Sequence, residues 1–329
     1  MENKIIENKV LKSKTTRNNA GYVILSLVAM MLWGSLFPSV KIGYKAFDID
    51  TAYVPNILMF AALRFTICGV IVCVLSAIKK EKLEEPKSKS ILNITIMGIF
   101  GIVLHYAFTY VGLSMTESSK TALLKQLGVL FYVCFAFIFF KNERFSVQKI
   151  AGAVIGFGGI AAINAGEKIS SVSVGDTLII LASLCTVVSS VISKKAVEGS
   201  SPFWATGISQ LTGGFILFIA ALAAGGNFPS FNLKATFVFI YICSASIIGY
   251  TLWYYVMRKM DLSRLFIIKF SEPLFACLFG AILLNEDIFK LQYLAAFLLI
   301  SAGIVIGNQR RDESVSNTNE IEGSASNSK

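Results

Sequence analysis

Arg64, His105, Lys125, Lys269 and Glu272 are ionisable residues set inside long apolar stretches of a 329-residue chain. A charge in hydrocarbon costs at least about 2.5 kcal/mol on the mildest scales, so such residues face a bundle interior or a watery cavity. The stretch SRLFIIKFSEPLFACLFGAILL, residues 263–284, is the densest case, with Arg264, Lys269, Glu272 and Pro273 in its first half. Lys269 and Glu272 stand three apart, a helical spacing that places them on one face, where they can pair. Pro273 cannot donate to the carbonyl of residue 269, and its ring disfavours a straight helix there. That carbonyl is then open to a substrate or to water beside the charged pair. Two chemistries follow. Ammonium groups at Lys125 and Lys269 can attract a carboxylate or another anion, and a carboxyl at Glu272 can exchange a proton as access to a cavity alternates. The plain alternatives are snorkelling of each lysine stem to an interface and neutralisation of Lys269 by Glu272. For Lys120 and Arg264, at span ends, snorkelling is the favoured reading.

Arg64 lies deep in an apolar run and cannot readily be neutralised, so it demands a partner or an aqueous pocket. A substrate carboxylate and a neighbouring helix are equal candidates. His105, the single histidine, can relay a proton or can be a hydrogen-bonded core residue. Tyr106 and Tyr110 share a helix face, as do Gly249 and Trp253; both pairs suit a cavity wall or ordinary packing.

These residues need elements to hold them. The chain is 55% hydrophobic and 15% charged, with a mean hydropathy of +0.67; soluble domains carry about a quarter charged residues. A membrane helix needs about 20 mostly apolar residues. Ten candidate spans cover residues 21–40, 57–78, 91–113, 121–140, 147–165, 176–196, 203–225, 235–257, 262–284 and 289–307. The expected fold class is an all-α integral membrane protein. The first apolar run is too long for a signal peptide and has no small-residue cleavage site. Residues 1–19 and 309–329 read as polar, disordered cytoplasmic tails.

Lys and Arg set orientation. One set of loops and tails holds Lys79, Lys80, Lys82, Lys149, Lys194 and Lys195 among others, and outnumbers the alternate set roughly three to one. Both termini are therefore expected in the cytoplasm, and the net charge of +10 reads as topogenic rather than as a nucleic-acid surface. The six cysteines all fall in spans, without a CxxC or Cys/His cluster, and read as packing residues. No metal cluster or catalytic triad is visible, no cofactor is expected, and no Walker loop points to ATP.

An internal repeat divides the spans. FFKNERFSVQKIAGAVIGFGGIAAI from Phe139 matches LLNEDIFKLQYLAAFLLISAGIVIG from Leu283, aligning Glu143 with Glu286, Gly159 with Gly303 and, upstream, Tyr110 with Trp253. Each half, 20–165 and 166–308, holds five spans. Five is odd, so the second half enters the membrane from the opposite side. Inverted repeats of this kind are the architecture of many secondary transporters, with substrate sites near the midplane between the repeats. Lys125 and Lys269 then fall on opposite sides of that midplane, one position out of register. Gly152-x-x-x-Gly156 and Gly303-x-x-x-Gly307 allow close helix approach within the chain or at a dimer contact.

The segments TALLKQLGVLFYVCFAFIFFKNERFSVQKIAGAVIGFGGI and RLFIIKFSEPLFACLFGAILLNEDIFKLQYLAAFLLISAGI resemble the helix-loop-helix of the EamA branch of the drug/metabolite transporter superfamily. MLWGSLFPSVKI resembles that family's first-helix motif, and Leu63–Phe65 its second-helix Arg-Phe. Leu130 stands where the family usually has proline, and Asn142 and Asn285 where it usually has glycine. The resemblance spans about residues 21–307. It implies ten helices, cytoplasmic termini, a central cavity and movement of small metabolites, and it places Trp33, Ser35 and Pro38 at that cavity.

The expected function is secondary transport of a small polar metabolite across the plasma (inner) membrane, with an amino acid or derivative favoured. Export is favoured by the resemblance alone, and proton coupling is left open. The expected substrate-binding residues are Lys269, Lys125, Arg64, Trp33, Ser35, Tyr110 and Trp253; Glu272, Pro273 and His105 are assigned to coupling or gating. The expected partners are the substrate and the lipid bilayer, with monomer or homodimer undecided. The rivals are a cation or multidrug exporter that recognises cargo through Glu272, and a membrane enzyme or sensor.

Overall fold

A computed structural model describes residues 2–84, 87–113, 115, 118–139, 145–163, 173–285 and 291–308. No strand occurs among them. Helices α1 (Glu2–Ala46) and α2 (Val54–Ile78) form the first two spans. The third is built of α3 (Lys87–Gly98), a π-helical segment Ile99–Leu104 and α4 (His105–Leu113). α5 (Ser118–Phe139) and α6 (Val147–Ile163) complete the first half. The second half holds α7 (Val174–Gly199), α8 (Pro202–Ala223) and α9 (Leu233–Met257), then a ninth span broken into α10 (Leu262–Lys269) and α11 (Glu272–Leu284), and α12 (Leu291–Asn308). Eight helical runs among the described residues are long and apolar enough to cross a membrane, and the shorter apolar stretches Leu127–Ile138 and Val147–Ala162 supply the fourth and fifth. The protein is an all-α integral membrane protein of ten spans in two inverted five-helix repeats.

Local chemistry sets several boundaries. Ser173 and Asp176 close a reciprocal capping box at the start of α7, with bonds of 3.1 and 2.7 Å. Asn232 caps α9 by accepting the Ala235 N–H at 2.8 Å, and Ser201 followed by Pro202 opens α8. Asn285 ends α11 in the left-handed region, φ 55°, a conformation that asparagine tolerates better than most residues. Helix α1 already runs from Glu2, so residues 2–19 continue the helix ahead of the membrane-crossing run Ala20–Ala46. That stretch contains neither proline nor glycine, so nothing in it interrupts the helix. Glu143, Glu286 and residues 309–329 lie outside the described residues, as does the side chain of Lys120.

Packing displays the two-fold relation. α2 lies against its counterpart α8, and α6 against its counterpart α12. α1 packs on α9 and on α11, while its counterpart α7 packs on α4 and α5. Lipid is as apolar as leucine, so these contacts rest on close van der Waals fit rather than on water exclusion. At the α6–α12 crossing a Cβ on Gly152 would lie 2.6 Å from the Gly303 carbonyl oxygen, and one on Gly303 the same distance from that of Gly152. The two GxxxG motifs therefore face each other within the chain. Outward, Ile71 and Val74 of α2, Phe131 and Ile138 of α5 and Phe297 and Leu298 of α12 are exposed, as suits a lipid-facing surface.

The lysine-rich connections gather at one end of the bundle. Below the centre on that basic side, Val197, Met257, Leu265, Phe266 and Ile267 form a closed core. Trp204 Nε1 donates to Glu81 O at 2.9 Å, and Ser201 N–H donates to Lys82 O at 2.8 Å, tying the α2–α3 connection to the α7–α8 junction. Lys194 Nζ donates to the carbonyls of Met257 and, at 2.8 Å, Met260, capping the C-terminus of α9. Arg264, at the start of the ninth span, pairs with the exposed Asp261 at 3.7 Å, and Lys149 of α6 reaches the same carboxylate at 3.5 Å.

Candidate functional site

Between the repeats lies a cavity of about 530 Å³. It reaches Tyr44, Tyr110 and Leu284 near the end opposite the basic loops, and Met97, Ser193 and Tyr254 toward the closed core. Both repeats supply its walls.

Lys269 and Lys125 both line this cavity. The Lys269 ammonium lies 5.4 Å from the ring centroid of Trp33 and 5.7 Å from that of Trp253. Trp33 is held for this role: its ring is 5.0 Å from Tyr250 and 5.4 Å from Trp253, and its Nε1 edge rests on Gly249, where a Cβ would come within 2.6 Å. The Lys125 ammonium lies 5.6 Å from the ring of Phe37. Its backbone is fixed by Ser183 of α7, whose Oγ donates to the Lys125 carbonyl at 2.5 Å and accepts the Gly128 N–H at 2.9 Å.

Glu272 lines the same cavity and lies within electrostatic range of both lysines. Among the described residues neither ammonium forms an ion pair or hydrogen bond, and Glu272 pairs with neither. Its Oε2 is buried without a hydrogen-bond partner. The pairing expected from the three-residue spacing is therefore not made; Lys269 turns onto two indole faces instead, a contact worth about 2 kcal/mol when desolvated. Between the two residues the backbone tightens, with Phe270 N–H bonded to Ile267 O at 3.3 Å and Ser271 N–H to Ile268 O at 2.9 Å. Pro273 follows in the first turn of α11, outside the cavity lining.

Arg64 is 4% exposed and borders the cavity. Its guanidinium lies 4.2 Å from the Phe65 ring centroid and donates to Tyr106 Oη at 3.2 Å. Nε is buried without a partner. Tyr110 and Trp253 also face the cavity. Ser35 does not: its hydroxyl donates to Leu32 O at 2.7 Å and meets Tyr241 Oη at 2.7 Å, and it is 1% exposed. His105 borders the cavity, with Nδ1 3.1 Å from Ala182 O and 2.9 Å from Thr186 Oγ1. A carbonyl only accepts, so Nδ1 donates in that contact and Nε2 remains the acceptor of the neutral ring.

Three features escaped the sequence reading. The π-helical segment Ile99–Leu104 carries Gly101 and Ile102 into the wall; such segments occur often at functional sites and have no simple sequence signature. Tyr44 and Tyr250 join the aromatic lining. Thr186, Ser189, Ser190 and Ser193 form a hydroxyl stripe on α7. Their spacing of three and four was readable as one helix face. Ser189 Oγ donates to Met97 O at 2.7 Å, just before the π segment.

A ten-helix inverted-repeat bundle around a charged central cavity defines a membrane transporter. The EamA-like transporter family model matches residues 20–165 and 173–308, so the chain belongs to that family. It is 26% identical over 275 residues to an "Uncharacterized transporter" of Archaeoglobus fulgidus, covering 82% of this chain and 91% of that one. It is 24% identical over 279 residues to the "Uncharacterized inner membrane transporter YedA" of Escherichia coli K12, covering 84% and 87%. A solved structure titled "Crystal structure of protein" shares the fold with a TM-score of 0.71 at 17% identity, covering 87% of this chain and 96% of that chain.

Proposed function

We propose that the protein carries a small polar metabolite bearing a carboxylate, an amino acid or derivative, by alternating access. One observation carries this reading: Lys125 and Lys269, from opposite repeats, line one cavity, and neither ammonium forms an ion pair or hydrogen bond among the described residues, Glu272 being the carboxylate nearby. Aromatic faces hold both ammonium groups without neutralising them, so a carboxylate entering the cavity gains two charge-assisted contacts. The unpartnered Glu272 Oε2 suits either a substrate ammonium or a coupling proton.

The positive-inside bias favours an inner-membrane chain with both termini in the cytoplasm, and the relative YedA, an inner membrane transporter by name, agrees as to the membrane. In that orientation Tyr44, Tyr110 and Leu284 lie at the outer end of the cavity. Export is the favoured direction through family membership. The cation-exporter reading has Glu272 in its favour, but Lys41, Arg64, Lys125 and Lys269 line the cavity with that one carboxylate and oppose a cationic cargo.

Purified protein in liposomes tests the reading with a panel of amino acids and organic cations, with and without an imposed pH gradient. Amino-acid flux above that of empty vesicles is expected. Absence of flux for every solute would refute transport. Proton coupling through Glu272 requires that Glu272→Gln lose gradient-driven flux yet retain exchange; equal loss of both would count against it.

A further inference from the structure

The cavity has two cationic poles rather than one. Lys125, Lys269 and Glu272 interact electrostatically with one another. The side chains against the Arg64 guanidinium are instead Phe65 and Tyr106. Neither is a carboxylate, and no ion pair reaches Arg64 among the described residues. A guanidinium is permanently charged and offers five donors. Here one hydrogen bond runs to a neutral hydroxyl, while the buried Nε has no partner. The ring contact and that one bond leave the charge without a counter-ion, which an arriving anion would supply.

The geometry points to a cargo with two separated negative groups and one ammonium, the chemistry of an acidic amino acid. This rests on the transporter reading above. The α-carboxylate takes the Lys125–Lys269 pole, the ammonium takes Glu272, and the distal carboxylate takes Arg64. A neutral amino acid satisfies the first pole and leaves Arg64 without an anion. An acidic one sets an opposite charge against Lys125, Lys269, Glu272 and Arg64 alike.

Glutamate and glutamine, of nearly equal size and differing in one charge, separate the two cases. Flux of each into proteoliposomes and binding of each to detergent-solubilised protein are measured in parallel. The wild type is expected to favour glutamate by about tenfold or more, the worth of one charge-assisted hydrogen bond. Arg64→Gln is expected to remove that preference by lowering glutamate transport, with glutamine changed less than about threefold. Equal handling of the two by the wild type, or equal loss of both in the variant, would overturn the assignment. If the variant does not fold, the wild-type preference decides alone. Binding of glutamate over glutamine without flux would keep this assignment and refute transport; flux of neutral amino acids with glutamate excluded would do the reverse.

Discussion

The Lys269 ammonium lies 5.4 Å from the Trp33 ring centroid, joining α10 of the second repeat to α1 of the first across the cavity. The contact stabilises a desolvated cation without neutralising it. Lys269 is thereby held in place and left available to an anion.

Trp33 should act through Lys269. Trp33→Leu removes the aromatic face but keeps an apolar wall, and the lost cation–π contact is worth about 1–2 kcal/mol. Substrate affinity is expected to fall about 5- to 30-fold, read as a rise in KM in proteoliposome uptake. An unchanged KM would show that the indole does not position the ammonium.

Ser183 ties α7 to α5 through two bonds on one hydroxyl. Ser183→Ala should destabilise the protein by about 1–3 kcal/mol, because the bonded groups are buried and lose a partner. A fall in the melting temperature of the detergent-solubilised protein checks this, and an unchanged one would place the α5–α7 stability elsewhere.

The α6–α12 crossing tolerates no side chain at Gly152. Gly152→Leu should prevent stable packing and give aggregated protein on size-exclusion chromatography, since overpacking costs about 1–3 kcal/mol or more. Gly158→Ala is the control: nothing packed against α6 lies within 4 Å of a Cβ there, so it should elute as the wild type does and melt no lower.

Lys194 caps α9 on the closed side of the cavity. Lys194→Met keeps the stem and removes the donors, at a cost of about 1 kcal/mol. Loosening of that side should speed alkylation of a cysteine introduced at Ser193, which borders the cavity. Unchanged labelling would show that the cap does not hold that side shut.

Much of this was legible in the chain because the bilayer imposes length and polarity on every span. The ten apolar runs and the odd-numbered repeat follow from hydropathy and internal alignment. The cavity cations were legible too, because Arg64, Lys125 and Lys269 are costly in hydrocarbon. What stayed hidden depends on partners far away in sequence. Ser35 reads like a cavity hydroxyl until Tyr241 of α9 is seen to bind it. The spacing of Lys269 and Glu272 allows a pair or two separate roles, and the contact of the ammonium with two indoles is not visible in it. The π segment Ile99–Leu104 contains Gly101 and the β-branched Ile99, Ile102 and Val103, weak helix formers of a kind common throughout the spans, so the sequence does not mark it out.

The most direct measurement is amino-acid uptake by proteoliposomes carrying the wild type, Lys125→Ala or Lys269→Ala, each checked for folding by its size-exclusion profile. Each substitution removes a charge-assisted contact worth about 1.5–3 kcal/mol, so transport efficiency should fall by about 10- to 150-fold. Folded variants that move amino acids as well as the wild type would contradict a carboxylate site at the two lysines.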